Sequence, residues 1–237
     1  MTETFDPALF DRLKEAEKSH FWFLVRKKWI FDEIRKFKKT PSTVLEIGCG
    51  AGNVSSYLSD KGYHVIGCEY YKEAIDAAWH GFDKVRGDAN ALPFLSSSFD
   101  IVGLFDVIEH FGQEHDLLIE AYRVLKEDGI LVITVPARSE LWSYFDEISF
   151  HKRRYSTKVL LSALKGANFK SLSAKYMFMM LYFPMQMFRG KSIEASNLFK
   201  IGNTLNLLSM LYFEVERFIS RFFKLPIGTS IIVVAKK

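Results

Sequence analysis

Val44-Leu45-Glu46-Ile47-Gly48-Cys49-Gly50-Ala51-Gly52-Asn53 runs from a short apolar stretch, interrupted by one acid, into three glycines spaced by single residues. Thr43 to Ile47 reads as a buried strand and Asn53 to Lys61 as a helix, so the glycines occupy a strand-to-helix turn. Such a turn lets a ligand approach the backbone where side chains would collide, and it presents amide donors at a helix start. Dinucleotide-binding proteins share the architecture, but their G-x-G-x-x-G fingerprint needs glycine where Asn53 stands, and it has no acid inside the strand.

The pattern continues outward from this loop. Tyr63 to Glu69, Lys84 to Gly87, Asp100 to Phe105 and Ile130 to Val135 read as further strands, with helices from Tyr71 to Trp79 and Glu114 to Lys126 between them. This alternation predicts an α/β fold, Rossmann-like, with a mostly parallel sheet and helices on both faces. Phe169 to Tyr176 and the terminal Ser230 to Ala235 complete a seven-stranded sheet with the last strand antiparallel. A helix capped by Ser156 precedes them. The ~50 residues between the final two strands exceed any hairpin loop and predict a helical insertion. Upstream, Trp22, Val25, Trp29, Ile30, Ile34 and Phe37 fall on one face of a helix that precedes the main domain. The expected organisation is an N-terminal helical lid over 1–40, a core over 41–175 and 226–237, and an insertion over 176–225.

Composition bounds the class. With 49% hydrophobic and 25% charged residues, the 237-residue chain has the makings of an ordinary globular core. The net charge of +4 is concentrated early, where Arg26, Lys27, Lys28, Arg35, Lys36, Lys38 and Lys39 outnumber Asp32 and Glu33. This is either a solvated helix face or a site for an anionic partner; no RNA-reading motif accompanies it, and no nucleic acid is expected. Cys49 and Cys68 read as small buried apolar residues rather than a disulfide pair. The acidic start Met1-Thr2-Glu3-Thr4-Phe5-Asp6 lacks a signal-peptide pattern, so a cytoplasmic location is expected. The uncharged stretches Tyr176 to Phe188 and Ile201 to Phe213 are shorter than the ~20 residues a membrane span needs; peripheral contact with a membrane stays open.

Taken together, Val44 to Asn53, Gly67-Cys68-Glu69-Tyr70, Gly87-Asp88-Ala89, Phe105-Asp106-Val107-Ile108-Glu109-His110 and Val124 to Leu131 resemble, in order and spacing, the motifs of class I S-adenosylmethionine-dependent methyltransferases. The resemblance covers roughly 44–136 and implies S-adenosylmethionine as cofactor. It implies that Glu46, Gly48, Cys49, Gly50 and Asn53 wrap the methionine and ribose part, and that Glu69, with Tyr70, accepts from both ribose hydroxyls. A carboxylate's two oxygens suit two vicinal donors. It also places Asp88 and Ala89 at the adenine and Asp106 near the transferred methyl. In similar bacterial enzymes an N-terminal helix covers the cofactor, which makes Trp22 a candidate substrate contact and Arg26 a candidate partner of the cofactor carboxylate.

Methyl transfer from a sulfonium is an in-line displacement that asks chiefly for alignment and dryness, and for a base only when the acceptor carries a proton to lose. His110 and His151 are the candidate bases. Asp106-x-x-Glu109-His110 also resembles the acid-x-x-Glu-His stretch of ubiquinone-pathway O-methyltransferases. Three ligands of mixed hardness so close in sequence seldom converge, so no metal is expected. His151-Lys152-Arg153-Arg154-Tyr155 resembles the His-x-x-Arg-Tyr segment of many bacterial methyltransferases, which makes Arg154 and Tyr155 candidate substrate contacts against the alternative of a basic loop with Tyr155 packed inward. Five of the seven methionines lie between Met177 and Met187, among Phe178, Tyr182, Phe183 and Phe188. Thioethers and rings suit a bulky apolar or lipid-linked acceptor, or else a packed cap. The competing functions are a cofactor-binding partner subunit without activity and a nicotinamide-dependent oxidoreductase.

Overall fold

The computed structural model describes residues 7–188 and 199–237. Two helices, α1 (Pro7–Ser19) and α2 (Phe21–Phe37), lead into an alternating unit: β1 (Thr43–Ile47), α3 (Asn53–Asp60), β2 (His64–Glu69), α4 (Lys72–Ala77), β3 (Asp83–Arg86), β4 (Phe99–Phe105), α5 (His115–Val124) and β5 (Leu125–Pro136). Then follow α6 (Tyr144–Ile148), α7 (Thr157–Gly166), β6 (Lys170–Met177), α8 (Tyr182–Phe188), α9 (Asn203–Ile219) and β7 (Ser230–Lys236).

The seven strands form one sheet in the order β3-β2-β1-β4-β5-β7-β6. β1 pairs in parallel with β2 on one side and β4 on the other, and β7 inserts antiparallel between β5 and β6, with Val132 opposite Val234. The unbroken apolar runs of β1, β4, β5 and β7 follow from burial on both faces. Leu45, Ile47, Val102, Leu104, Ile133 and Val233 face one core with Leu117 and Leu118 of α5 and Leu160 and Leu164 of α7. Their neighbours Val44, Ile101, Val132, Ile232 and Val234 face the other, with Val25, Trp29 and Ile30 of α2, Leu58 of α3 and Phe213 of α9. Successive residues of a strand point to opposite faces, so one sequence run feeds both cores.

The N-terminal helix expected from Trp22 starts at Phe21, and a second helix, α1, precedes it. Pro7 opens α1, as suits a residue with no amide hydrogen at a first helical position. α5 ends at Val124, two residues earlier than the apolar spacing suggests, because Leu125 already pairs with Phe99 of β4. α9 lies along α2 in register: Phe21 N–H donates to Asn206 Oδ1, the Phe21 and Phe213 rings stack at 5.4 Å, and Asp32 receives Arg217 and Arg221. Both cysteines are buried and free. Among the described residues no helix is long and apolar enough to cross a membrane.

Candidate active site

The chain turns to β2 on one side of β1 and to β4 on the other, so a crevice opens at the carboxyl ends of these strands, where α/β sheets bind ligands. A cavity of about 560 Å³ occupies it. One of its walls contains Gly48, Gly50, Glu69, Tyr70, Asp88 and Ala89, six of the residues expected to bind the cofactor. Gly52 caps α3 at φ 82°, and a Cβ there would strike the Phe82 ring. Gly50, at φ 54°, has nothing within 4 Å of where a Cβ would sit, so its bare backbone faces open space. Glu69 is buried yet faces the cavity: Gly50 N–H donates to Oε2 (3.0 Å), and the Tyr70 and Tyr71 amides donate to Oε1 (2.7 and 3.1 Å). Asp88 accepts from Asn90 N–H (2.9 Å) at the exposed rim. A glycine wall left open and a fixed carboxylate beside it fit the ribose and methionine portions of a bound nucleoside sulfonium.

The opposite wall comes from the 3-10 turn after β4 and the segment after α6. It holds Asp106, Val107, His110, Phe111, Ser149, Phe150 and Lys152. Burial, with His151 close by, pushes His110 down to about 4, so its ring is neutral at pH 7. The His110 and His151 ring centres lie 4.9 Å apart. His151 Nδ1 sits 2.9 Å from Asp146 Oδ1, and Arg154 clamps the same carboxylate through Nε and a terminal nitrogen, both at 2.9 Å. Asp146 also accepts from Ser143 N–H and Oγ, and the paired donors hold its carboxyl below the usual range against burial. Next to it Glu109 is fully buried and finds no hydrogen-bond donor among the described residues; burial and Asp106 push it well above the usual carboxylate range. Glu109, His110 and His151 each offer one ligand atom, all within 4.8 Å of one another.

α1 closes the crevice with Leu13 and Glu17. Asn53 Nδ2 donates to the Glu17 carbonyl (3.1 Å) and Trp79 Nε1 to its carboxylate (3.2 Å), while burial lifts that carboxyl to about 7.

The other expected residues stand behind the walls. Glu46 is buried under the loop, accepting from Ser55 Oγ at 2.5 Å and raised to about 7 by burial. Cys49 is buried, and Asn53 is committed to α1. Arg26 pairs with Asp106 at 2.6 Å, bracing a cavity residue from behind. Trp22 stacks on Phe178 (5.9 Å) and carries the Arg26 guanidinium over its ring (4.9 Å), outside the cavity lining. Arg154 is spent on Asp146 and the Ala137 carbonyl. Tyr155 is wholly buried, its hydroxyl 3.4 Å from the Ile108 carbonyl. Met177 and Phe178 are core residues, and no residue between Met177 and Met187 lines the cavity; the Phe188 side chain lies outside those described. Leu13, Glu17, Phe111, Phe150 and Lys152 were not singled out from sequence. The spacing of Leu9, Phe10, Leu13 and Ala16 behind Pro7 would have announced α1, but nothing local shows which face meets the crevice.

Comparisons with known proteins agree with this geometry. The family described as Methyltransferase domain matches residues 45–133. A probable S-adenosylmethionine-dependent methyltransferase of Mycolicibacterium smegmatis is 30% identical over 132 residues, 54% of this chain and 51% of that protein. A malonyl-acyl-carrier-protein O-methyltransferase of Enterobacter lignolyticus is 30% identical over 135 residues, 52% of this chain and 53% of that protein. The chain thus spans about half the length of these relatives. The solved structure of an S-adenosylmethionine-dependent methyltransferase from Archaeoglobus fulgidus shares the fold at TM-score 0.57 and 22% identity, covering 89% of this chain and 94% of that one. Residues 45–133 thus match a methyltransferase domain, and the chain is similar in sequence to S-adenosylmethionine-dependent methyltransferases and shares its fold with one.

Proposed function

We propose that the chain moves the sulfonium methyl of S-adenosylmethionine to a small acceptor with an apolar body. The observation that carries this is the joining, in one cavity, of Gly50, Glu69 and Asp88 to His110, Phe111 and Phe150. Glu69, fixed by three backbone amides, receives the ribose hydroxyls with its remaining lone pairs. Asp88 and Ala89 meet the adenine edge. Asp106, braced by Arg26, stands on the same wall of the cavity as His110. When bound, the cofactor supplies an electrophilic methyl and leaves as a neutral thioether.

Phe111 and Phe150 supply the apolar seat and help to exclude water, and α1 acts as the lid. His110 accepts a hydrogen bond from the acceptor's hydroxyl or amine and so aims its lone pair. Its conjugate acid, at about 4, is too acidic for it to strip that proton beforehand. With a hydroxyl acceptor the proton leaves after the methyl arrives, from an oxonium acidic enough for this weak base; an amine must arrive unprotonated, and its methylated product keeps the proton until it reaches water. His151, locked to Asp146, holds the His110 side of the wall in place.

Isothermal titration with S-adenosylmethionine, followed by a radiolabelled-methyl screen of small hydroxyl and amine acceptors graded in apolar size, tests the reading. Binding with transfer favouring the larger apolar acceptors is expected; absence of S-adenosylmethionine binding sinks it.

A further inference from the structure

α9 hides one face and bares the other. Asn206, Met210, Phe213, Glu216 and Ser220, at helical spacing, turn toward α2 and the core. Leu208, Leu211, Val215, Phe218 and Phe222, at the same spacing on the opposite side, are exposed, with Val215 at 57%, Phe222 at 69% and the adjoining Phe223 at 70%. Single exposed apolar side chains are ordinary, but a continuous stripe along a whole helix marks a surface that something covers.

The charges say what covers it. From Asn203 to Lys224 the exposed charged residues are Arg221 and Lys224, both basic. The two acids of α9 turn away: Glu214 pairs with Lys28 and Arg217, and Glu216 is buried, accepting from Met179 N–H at 2.9 Å. At the C-terminal end of the stripe, Arg35, Arg217, Arg221 and Lys28 share two carboxylates, Asp32 and Glu214, so cation outnumbers anion there. The Arg221 guanidinium lies over the Phe218 ring at 5.7 Å. Phe222 and Phe223, set between Arg221 and Lys224, combine rings for the acyl boundary with cations for phosphate headgroups. With 17 residues, α9 is too short to span a bilayer and suited to lying in its surface.

We propose that the exposed face of α9 and the Phe222–Phe223 turn dock the protein on an anionic lipid bilayer. This goes beyond the proposed methyl transfer and does not depend on it. The test is cosedimentation of the full chain with vesicles of phosphatidylcholine alone or mixed with phosphatidylglycerol, across a salt series. Binding to the mixed vesicles at least about tenfold above the neutral ones, weakening as salt rises, is expected. Val215→Glu and Phe222→Glu should each abolish it with thermal unfolding and S-adenosylmethionine binding retained. Lys224→Glu, at an exposed side chain, should weaken it severalfold and serves if the apolar variants fold poorly. No enrichment on either vesicle, or equal and salt-independent binding to both, overturns the proposal. So does a concentration-dependent dimer that Val215→Glu dissociates while vesicles remain unbound, since the occupant is then a second copy. Loss of vesicle binding with intact S-adenosylmethionine binding counts against this proposal alone.

Discussion

The two walls of the cavity are made in different ways. The cofactor-side wall is short in sequence and held by backbone: Gly50, Tyr70 and Tyr71 amides fix Glu69, and the glycine turn carries its own positive φ angles. The acceptor-side wall joins Asp106 to Phe111 with Ser149 to Lys152, roughly 40 residues apart, and rests on side chains. Asp146 alone gathers Ser143, His151 and Arg154, and Lys152 N–H reaches the Glu109 carbonyl (2.7 Å). The difference teaches that the first wall depends on local conformation and the second on a buried charged hub. The hub is therefore the more fragile.

Removing the hub should break the comparison most severely. Asp146→Ala strands the buried Arg154 guanidinium and frees His151, at a cost of about 3–5 kcal/mol. Chemical denaturation should show that loss, and any folded fraction should still bind S-adenosylmethionine while failing to transfer methyl. Equal loss of both would mean that the walls are not independent.

Next in size, Gly50→Leu fills open cavity space and forces a left-handed residue with a side chain. Calorimetry should record S-adenosylmethionine affinity down at least a hundredfold, ~2.7 kcal/mol, with a smaller change in stability. A variant that binds normally would place the cofactor elsewhere.

His110 offers a pH test of the second wall. Because the ring is neutral down to about 4, its hydrogen-bond-accepting form is present throughout the range above that value and is lost as pH falls through it. His110 should add no inflection of its own to the kcat profile between pH 8 and 5, so wild type and His110→Asn should show the same profile shape there, and the variant should lower kcat by about tenfold, ~1.4 kcal/mol, with cofactor affinity unchanged. An inflection near the ordinary histidine value of 6.5 that vanishes in the variant would contradict the buried, neutral ring.

The smallest effect is expected at Tyr155. Its hydroxyl makes one long contact to the Ile108 carbonyl, so Tyr155→Phe should leave kcat and KM unchanged and cost no more than about 1 kcal/mol. A raised KM would restore Tyr155 as an acceptor contact.

Reading the sequence alone established the seven strands, the glycine turn and the strand-end acids Glu69 and Asp88. These depend on signals carried within a few residues: short unbroken apolar runs, backbone angles open to glycine, and the position of an acid at the end of an apolar run. The same reading brought Gly48, Gly50, Tyr70, Ala89, Asp106 and His110 to the cavity. It could not say that Arg154 would be spent on Asp146, that Tyr155 would be sealed in the core, or that Trp22 and the Met177–Met187 segment would pack away from the crevice. Nor did it bring Glu17 to the cavity from a helix some 30 residues ahead of the loop. Those outcomes turn on which distant partner satisfies a buried charge or ring, and a side chain's partner across the fold is decided by tertiary packing, since its own sequence neighbours carry no record of it.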